Sequence, residues 1–231
     1  MCGRYSLFQS SSALMERFEL EVPTEFEPRI NAAPSESLPV IRTLDGTKEI
    51  SLLRWGLIPF WAKEKKVGYR MINARSETAD SKPSFRQAFE KRRCLVIVDG
   101  FYEWVTIEKK KWPIWITFGE PALQVFAGLW ERWTDPENGE PLETYSILTT
   151  DADPVLAPIH DRMPLFVPQD FWTPWLEGAD PKNMVSKIRA AFPAEKVSFH
   201  PVNPQLNRAG QEDRAWLDEV ELPGNPDFLS S

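Results

Sequence analysis

Short apolar runs closed off by Gly, Pro, Asp or Asn recur along the 231-residue chain: GRYSLF, LPVIRTL, EISLLRWGLI, CLVIVDGFYEWV, PIWITF, LQVFAGLW, TYSILTT and MPLFV. Several alternate apolar with polar positions, the pattern of a strand with one buried face. Helical spacing is rarer and is confined to residues 10–20, 84–92, 169–177, 182–192 and 211–220. In the second of these, Ser84 and Gln87 stand at capping-box spacing. LQVFAGLW and TYSILTT are separated by ERWTDPENGEPLE, whose Asp-Pro and Asn-Gly pairs predict a hairpin loop. Strands follow strands instead of alternating with helices. The pattern therefore predicts an α+β single domain, with a curled, mostly antiparallel sheet or barrel-like core and peripheral helices. No linker or repeat divides the chain, so residues 1–221 read as the domain and 222–231 as a flexible tail.

Composition refines this picture. A hydrophobic content of 42% supports a well-buried core, and most of the ten tryptophans belong in it. No apolar run is long enough to span a membrane and no secretory leader is readable, so a cytoplasmic protein is expected, with monomer as the default. Cys2 and Cys94 make no disulfide framework and read as thiols. The formal net charge of −7 argues weakly against general nucleic-acid affinity. Its distribution is uneven, however. KEKKVGYRMINAR, residues 63–75, carries five basic residues against one acid, KRR follows at 91–93, and acids crowd the C-terminal EDRAWLDEVELPGNPD. This is either a basic face on an acidic protein or an ordinary solvated surface.

Few residues offer reactive chemistry. Cys2, Cys94, His160 and His200 lack the short spacings of a structural zinc site, so no metal and no cofactor is expected. Cys94 opens an apolar strand and reads as a small buried hydrophobe. His160 lies in the proline-bracketed APIHDRMP, either as a surface residue or as a rigidly presented functional one. Glu103, in GFYEWV, points either to solvent or inward, where burial would raise its pKa toward values useful in acid/base work. INARSET sets Asn73, Arg75 and Glu77 at alternate positions, which in an extended segment share one face, either exposed or able to bind a polar ligand. Asn31 in RINAAPSE is adequately explained by a turn. Cys2 would become N-terminal if Met1 were removed. Its amine (pKa about 8) and thiol (about 8.5) would then form a 1,2-aminothiol. Such a group condenses with an aldehyde to a thiazolidine, or acts as an N-terminal nucleophile on an amide.

MCGRYSLF, RINAAP, WGLIP, INARSET, DGFYEW and IHDRMP, in this order, closely resemble the SOS response-associated peptidase (SRAP) family of abasic-site shield proteins. TYSILTT and HPVNPQLN extend the likeness less distinctively. The resemblance implies an SRAP domain that binds abasic sites in single-stranded DNA and forms a covalent thiazolidine crosslink through Cys2 after self-processing of Met1. By the same resemblance Asn73 holds the N-terminus and the abasic sugar, Glu103 is the catalytic carboxylate, and His160 assists ring opening and reversal. Arg4, Arg75 and Arg162 would contact phosphates, and Trp61 and Trp104 would pack on bases or sugar. Asn31, Pro34 and Thr149 would complete the DNA-binding set. A cysteine peptidase or amidohydrolase using Cys2, with Glu103 and His160 as partners, and a non-catalytic single-strand binder are the competing readings.

Overall fold

The structure, a computed structural model, describes residues 2–120, 122–210 and 212–224. Its strands are β1 (Tyr5–Leu7), β2 (Arg29–Ala32), β3 (Ser37–Leu44), β4 (Thr47–Trp55), β5 (Asn73–Arg75), β6 (Arg93–Val98), β7 (Gly100–Ile107), β8 (Lys110–Thr117), β9 (Gln124–Thr134), β10 (Pro141–Asp151), β11 (Arg162–Pro164) and β12 (Ser198–Pro201). The helices are α1 (Ser11–Phe18), α2 (Arg86–Lys91), α3 (Trp172–Glu177) and α4 (Pro181–Ala190). One sheet runs β12-β8-β7-β1-β2. In the other, β10 pairs antiparallel with β9 and parallel with β4, which closes β4-β3-β6-β9-β10 into a five-stranded ring. The far half of β10 also carries β5 and β11. This is the predicted α+β fold with a barrel-like core.

The expected hairpin is β9–β10. CLVIVDGFYEWV, one run in the sequence, is instead two strands in two different sheets. The chain changes sheets at Asp99, whose amide donates to the Ser6 carbonyl at 2.7 Å. Gly100 permits the crossing, because a Cβ there would stand 2.6 Å from the Trp115 indole nitrogen and 2.7 Å from the Ile116 carbonyl. The capping box at Ser84 does not form. Phe85 precedes α2 and makes no side-chain cap. The helix expected over 211–220 is a single 3-10 turn, Arg214–Leu217, capped by Asp213, and its Leu217 is buried beside Val202 and Leu206. In the expected tail, Leu222 packs partly buried on the core, and residues 225–231 lie outside the described residues.

Two features tie the scaffold together behind the N-terminus. Tyr5 on β1 and Tyr145 on β10 are fully buried, and their hydroxyls lie 2.8 Å apart, so one hydrogen bond joins the two sheets. Trp55 packs against both rings. Arg93, on β6, spends its guanidinium on the carbonyls of Phe89, Glu90, Trp175 and Gly178. These are carbonyls left without intrahelical partners at the ends of α2 and α3, so both helices are anchored on the ring.

Candidate active site

Cys2 is fully buried in the extended segment that leads into β1. Asn73, the first residue of β5, donates from Nδ2 to the Cys2 carbonyl at 2.8 Å. Because β5 is itself held by β10 in parallel register, this bond fixes residue 2 relative to the ring. The Cys2 thiol points back to the Arg4 carbonyl, with Sγ 3.7 Å from the oxygen.

Glu103 resolves the alternative left by its sequence position. It faces inward on β7 and is only 4% exposed. Burial pushes its carboxyl above the ordinary range, and the positive charge of a protonated His160 acts in the opposite direction. Burial also raises the Cys2 thiol, and the charge of Glu103 raises it further. Burial and the neighbouring carboxylate thus both favour the protonated thiol at Cys2.

His160 is presented by a turn in which its amide donates to the Leu156 carbonyl at 3.1 Å. Its Nδ1 accepts from the Arg162 amide at 2.9 Å and lies 2.8 Å from Asp161 Oδ1. One atom cannot serve both at once. The neutral ring, with its proton on Nε2, satisfies the amide, and the imidazolium satisfies Asp161. The loop thus supports the ring in either protonation state.

The remaining expected residues divide by burial. Arg4 is half-buried and donates from Nη1 to Asn31 Oδ1 at 2.7 Å. Asn31 is buried and donates in turn to the carbonyls of Leu206 at 3.2 Å and Arg208 at 2.8 Å. Arg162 is buried against Glu77 in a two-pronged ion pair, 2.9 Å for each prong, and also bonds Asp151 and the Thr149 carbonyl. Thr149 is fully buried. Asn73 and Arg75 do share β5, but Glu77 lies beyond its end and is held by Arg162, so the three do not form one ligand-binding row. Arg75 and Trp61 are exposed and Pro34 is half-buried. Among the described residues, no side-chain hydrogen bond ties these three to the Cys2 cluster. Trp104 is half-buried, and its indole N–H donates to Asn207 Oδ1 at 2.6 Å.

Sequence reasoning missed the structural part played by Asn207 and by the Leu206 and Arg208 carbonyls, which hold Trp104, Asn31 and Arg4 from 103 to 202 residues away. The available signal was the Asn203-Pro204 turn inside HPVNPQLN. It also missed the Tyr5–Tyr145 bond, for which each tyrosine read only as an apolar strand position.

The family model described as SOS response associated peptidase (SRAP) matches residues 1–209. The abasic site processing protein YoqW of Bacillus subtilis is 38% identical over 213 residues, covering 90% of this chain and 94% of that protein. The abasic site processing protein HMCES of Gallus gallus is 33% identical over 229 residues, covering 85% of this chain and 68% of that protein. A crystal structure of a protein from Bacteroides thetaiotaomicron superimposes with a TM-score of 0.86 at 25% identity, covering 95% of this chain and 100% of that one. A family model spanning residues 1–209 and relatives 33–38% identical over most of the chain agree, and the chain belongs to the SOS response-associated peptidase family.

Proposed function

We propose that this chain processes abasic sites in single-stranded DNA by forming a covalent thiazolidine between Cys2, made N-terminal by loss of Met1, and the ring-opened abasic sugar. The observation that carries the reading is the Asn73 bond to the Cys2 carbonyl, which immobilises residue 2 beside the buried Glu103. The names of the relatives supply the substrate class.

The chemistry follows from the groups present. The abasic sugar equilibrates between a closed hemiacetal and an open aldehyde. His160 moves the proton between the hydroxyl and the ring oxygen as the sugar opens. The Cys2 amine attacks the aldehyde carbon, and Glu103 takes the proton that the amine sheds. The carbinolamine then loses water to give an imine. The thiol adds to the imine carbon, its proton passes through Glu103 to nitrogen, and the five-membered ring closes. The balance is aldehyde plus aminothiol to thiazolidine plus one water, with no oxidant. A carboxyl raised by burial exchanges protons nearer neutrality than an ordinary one, which suits this relay. A missing base leaves the nucleotide already unstacked, so presenting it costs little distortion. Arg4 holds a flanking phosphate, Arg75 a second, and Trp61 and Trp104 offer faces to bases or sugar. Arg162 would hold a third phosphate, with Asn31, Pro34 and Thr149 in the DNA-binding set, Asn31 and Thr149 supporting it from buried positions.

Self-removal of Met1 by the same thiol is part of this proposal. The competing peptidase reading predicts hydrolysis of unrelated peptides at an enzymatic rate, which the crosslinking reading does not. Denaturing electrophoresis after incubation with an abasic oligonucleotide tests the reading. Wild type is expected to retain the oligonucleotide, whereas Cys2→Ala and an oligonucleotide with its aldehyde capped by methoxyamine give no retained species. Binding without retention by processed wild type would favour the non-catalytic binder. Glu103→Gln and His160→Ala should slow retention more than they weaken binding.

A further inference from the structure

We infer that Glu212 is a positioning residue for the phosphate grip of Arg4, an inference that rests on the function proposed above. β2 is the last strand of its sheet and, among the described residues, pairs only with β1, in a register that shifts between Tyr5 and Leu7. Backbone donors along such an edge need partners from outside the ladder. The Ile30 amide finds one in the Glu212 carboxylate, which accepts its hydrogen bond through Oε2. On the next peptide, the Ile30 carbonyl accepts from the Tyr102 hydroxyl at 2.7 Å. Two successive peptide planes of β2 are thus held by side chains 182 and 72 residues away, and residue 31 follows them.

Asn31 presents its Oδ1 to Arg4 Nη1 at 2.7 Å, while its Nδ2 is taken by the Leu206 and Arg208 carbonyls. With both ends of the amide engaged, the side chain has one orientation, oxygen toward Arg4. Arg4 Nη1 also reaches the Leu206 carbonyl at 3.4 Å. Nη1 therefore carries every hydrogen bond that the Arg4 side chain makes among the described residues, and Nε and Nη2 remain. Those two N–H groups form the side-on fork of a guanidinium, the edge that receives two oxygens of one phosphate. The aim of the fork is set through Nη1 by Asn31, and Asn31 is set by the backbone that Glu212 holds.

Glu212 is not needed to keep its own segment in place. Leu217 is buried with Val202 and Leu206, Trp216 packs on the same cluster, and the Val220 amide donates to the Pro201 carbonyl at 3.0 Å. Asp213 caps the turn that carries Trp216 and Leu217. Loss of the 212 carboxylate therefore frees the Ile30 amide without detaching the segment. Cys2 is held separately, by Asn73 on β5 beside the other sheet's β10. The carboxylate thus acts on the binding of DNA and not on the chemistry of residue 2.

The test measures non-covalent affinity in a Cys2→Ala background for an abasic oligonucleotide, and for versions in which each linkage flanking the lesion is in turn a neutral methylphosphonate. Glu212→Ala is expected to weaken binding of the all-phosphate oligonucleotide about fivefold, a smaller loss than that from Arg4→Ala. Glu212→Gln should stay within about twofold of its parent, because its amide oxygen accepts from the same N–H. The methylphosphonate at the linkage Arg4 grips should erase most of the difference between Glu212→Ala and its parent, since little charge is left to misalign. In the chain that keeps Cys2, Glu212→Ala should leave the crosslinking rate at saturating DNA unchanged while the half-saturating concentration rises by the same factor. Parental affinity in Glu212→Ala, an equal loss in Glu212→Gln, or a loss undiminished by every methylphosphonate would each overturn the inference. Arg4→Ala separates this result from the reading beneath it. Full affinity in Arg4→Ala would refute the phosphate grip and the inference together, whereas crosslinking that fails with binding intact would refute the proposed chemistry alone.

Discussion

Tyr5→Phe should destabilise the protein far more than the loss of one hydroxyl suggests. In wild type the Tyr5 and Tyr145 hydroxyls are 2.8 Å apart, both rings are fully buried, and Trp55 closes over them. Removing one hydroxyl leaves the other buried without the partner it now has, at a cost of about 1–3 kcal/mol. Removing both deletes the bond and the orphan together, so Tyr5→Phe with Tyr145→Phe should lie within about 1 kcal/mol of wild type. The double-mutant cycle therefore predicts a coupling of at least about 1 kcal/mol, well outside the few tenths expected of independent sites. Urea unfolding of the four proteins measures it, read from midpoints at constant slope. Since Cys2 lies three residues ahead of Tyr5 in the segment that leads into β1, the more damaged single variant should also crosslink more slowly than the double variant. Additive single effects would refute the reasoning, because they would mean that the hydroxyls do not hold the sheets together.

Four further outcomes are expected. Asp99 is pushed up to about 6 by burial, against which the Phe8 and Gln9 amides work. Its unfolded value is about 4, so its contribution to stability is complete below that pH and is lost as pH rises through 6. The full effect is about 3 kcal/mol, and Asp99→Asn should flatten that part of a urea-midpoint profile. Arg162→Ala breaks a bracket in which the arginine is buried but Glu77 and Asp151 are largely exposed, so a loss of about 1–3 kcal/mol is expected by thermal unfolding. Arg75→Ala, at an exposed position, should leave stability within about 0.5 kcal/mol while weakening single-strand binding. Asn207→Ala frees the Trp104 indole and should raise the protein concentration needed for half-maximal crosslinking severalfold, while leaving the reaction of Cys2 with a small aldehyde unchanged; a change in both would assign Asn207 to the chemistry itself.

Much of the fold was legible because short apolar runs closed by turn residues leave a direct trace in sequence, as in LPVIRTL and TYSILTT, whose strands are buried almost without interruption. The strands that escaped, β2, β5 and β12, are three or four residues long and rich in polar side chains, so no local apolar pattern marks them. The misread helix near 214 shows the converse. Trp216 and Leu217 have apolar character, but they pack onto a satellite cluster instead of forming a helical stripe. At the site, residue types disclosed Cys2, Glu103 and His160 as candidates, and only the family resemblance joined them. What sequence cannot display is pairing between distant positions. Neither the attachment of Asn31 to residues 206 and 208 nor that of Tyr5 to Tyr145 has a local signature.

Intact-mass measurement of the denatured product, combined with thiol alkylation, decides the chemistry. Incubation of the processed chain with an abasic oligonucleotide should give one species whose mass is protein without Met1 plus oligonucleotide less one water. That species should take up alkylating agent at Cys94 alone, because a thiazolidine consumes both the amine and the thiol of Cys2. An undamaged oligonucleotide, Cys2→Ala, or protein retaining Met1 should give no such species. No adduct from the processed chain, or an adduct in which both cysteines still alkylate, would contradict thiazolidine formation at Cys2.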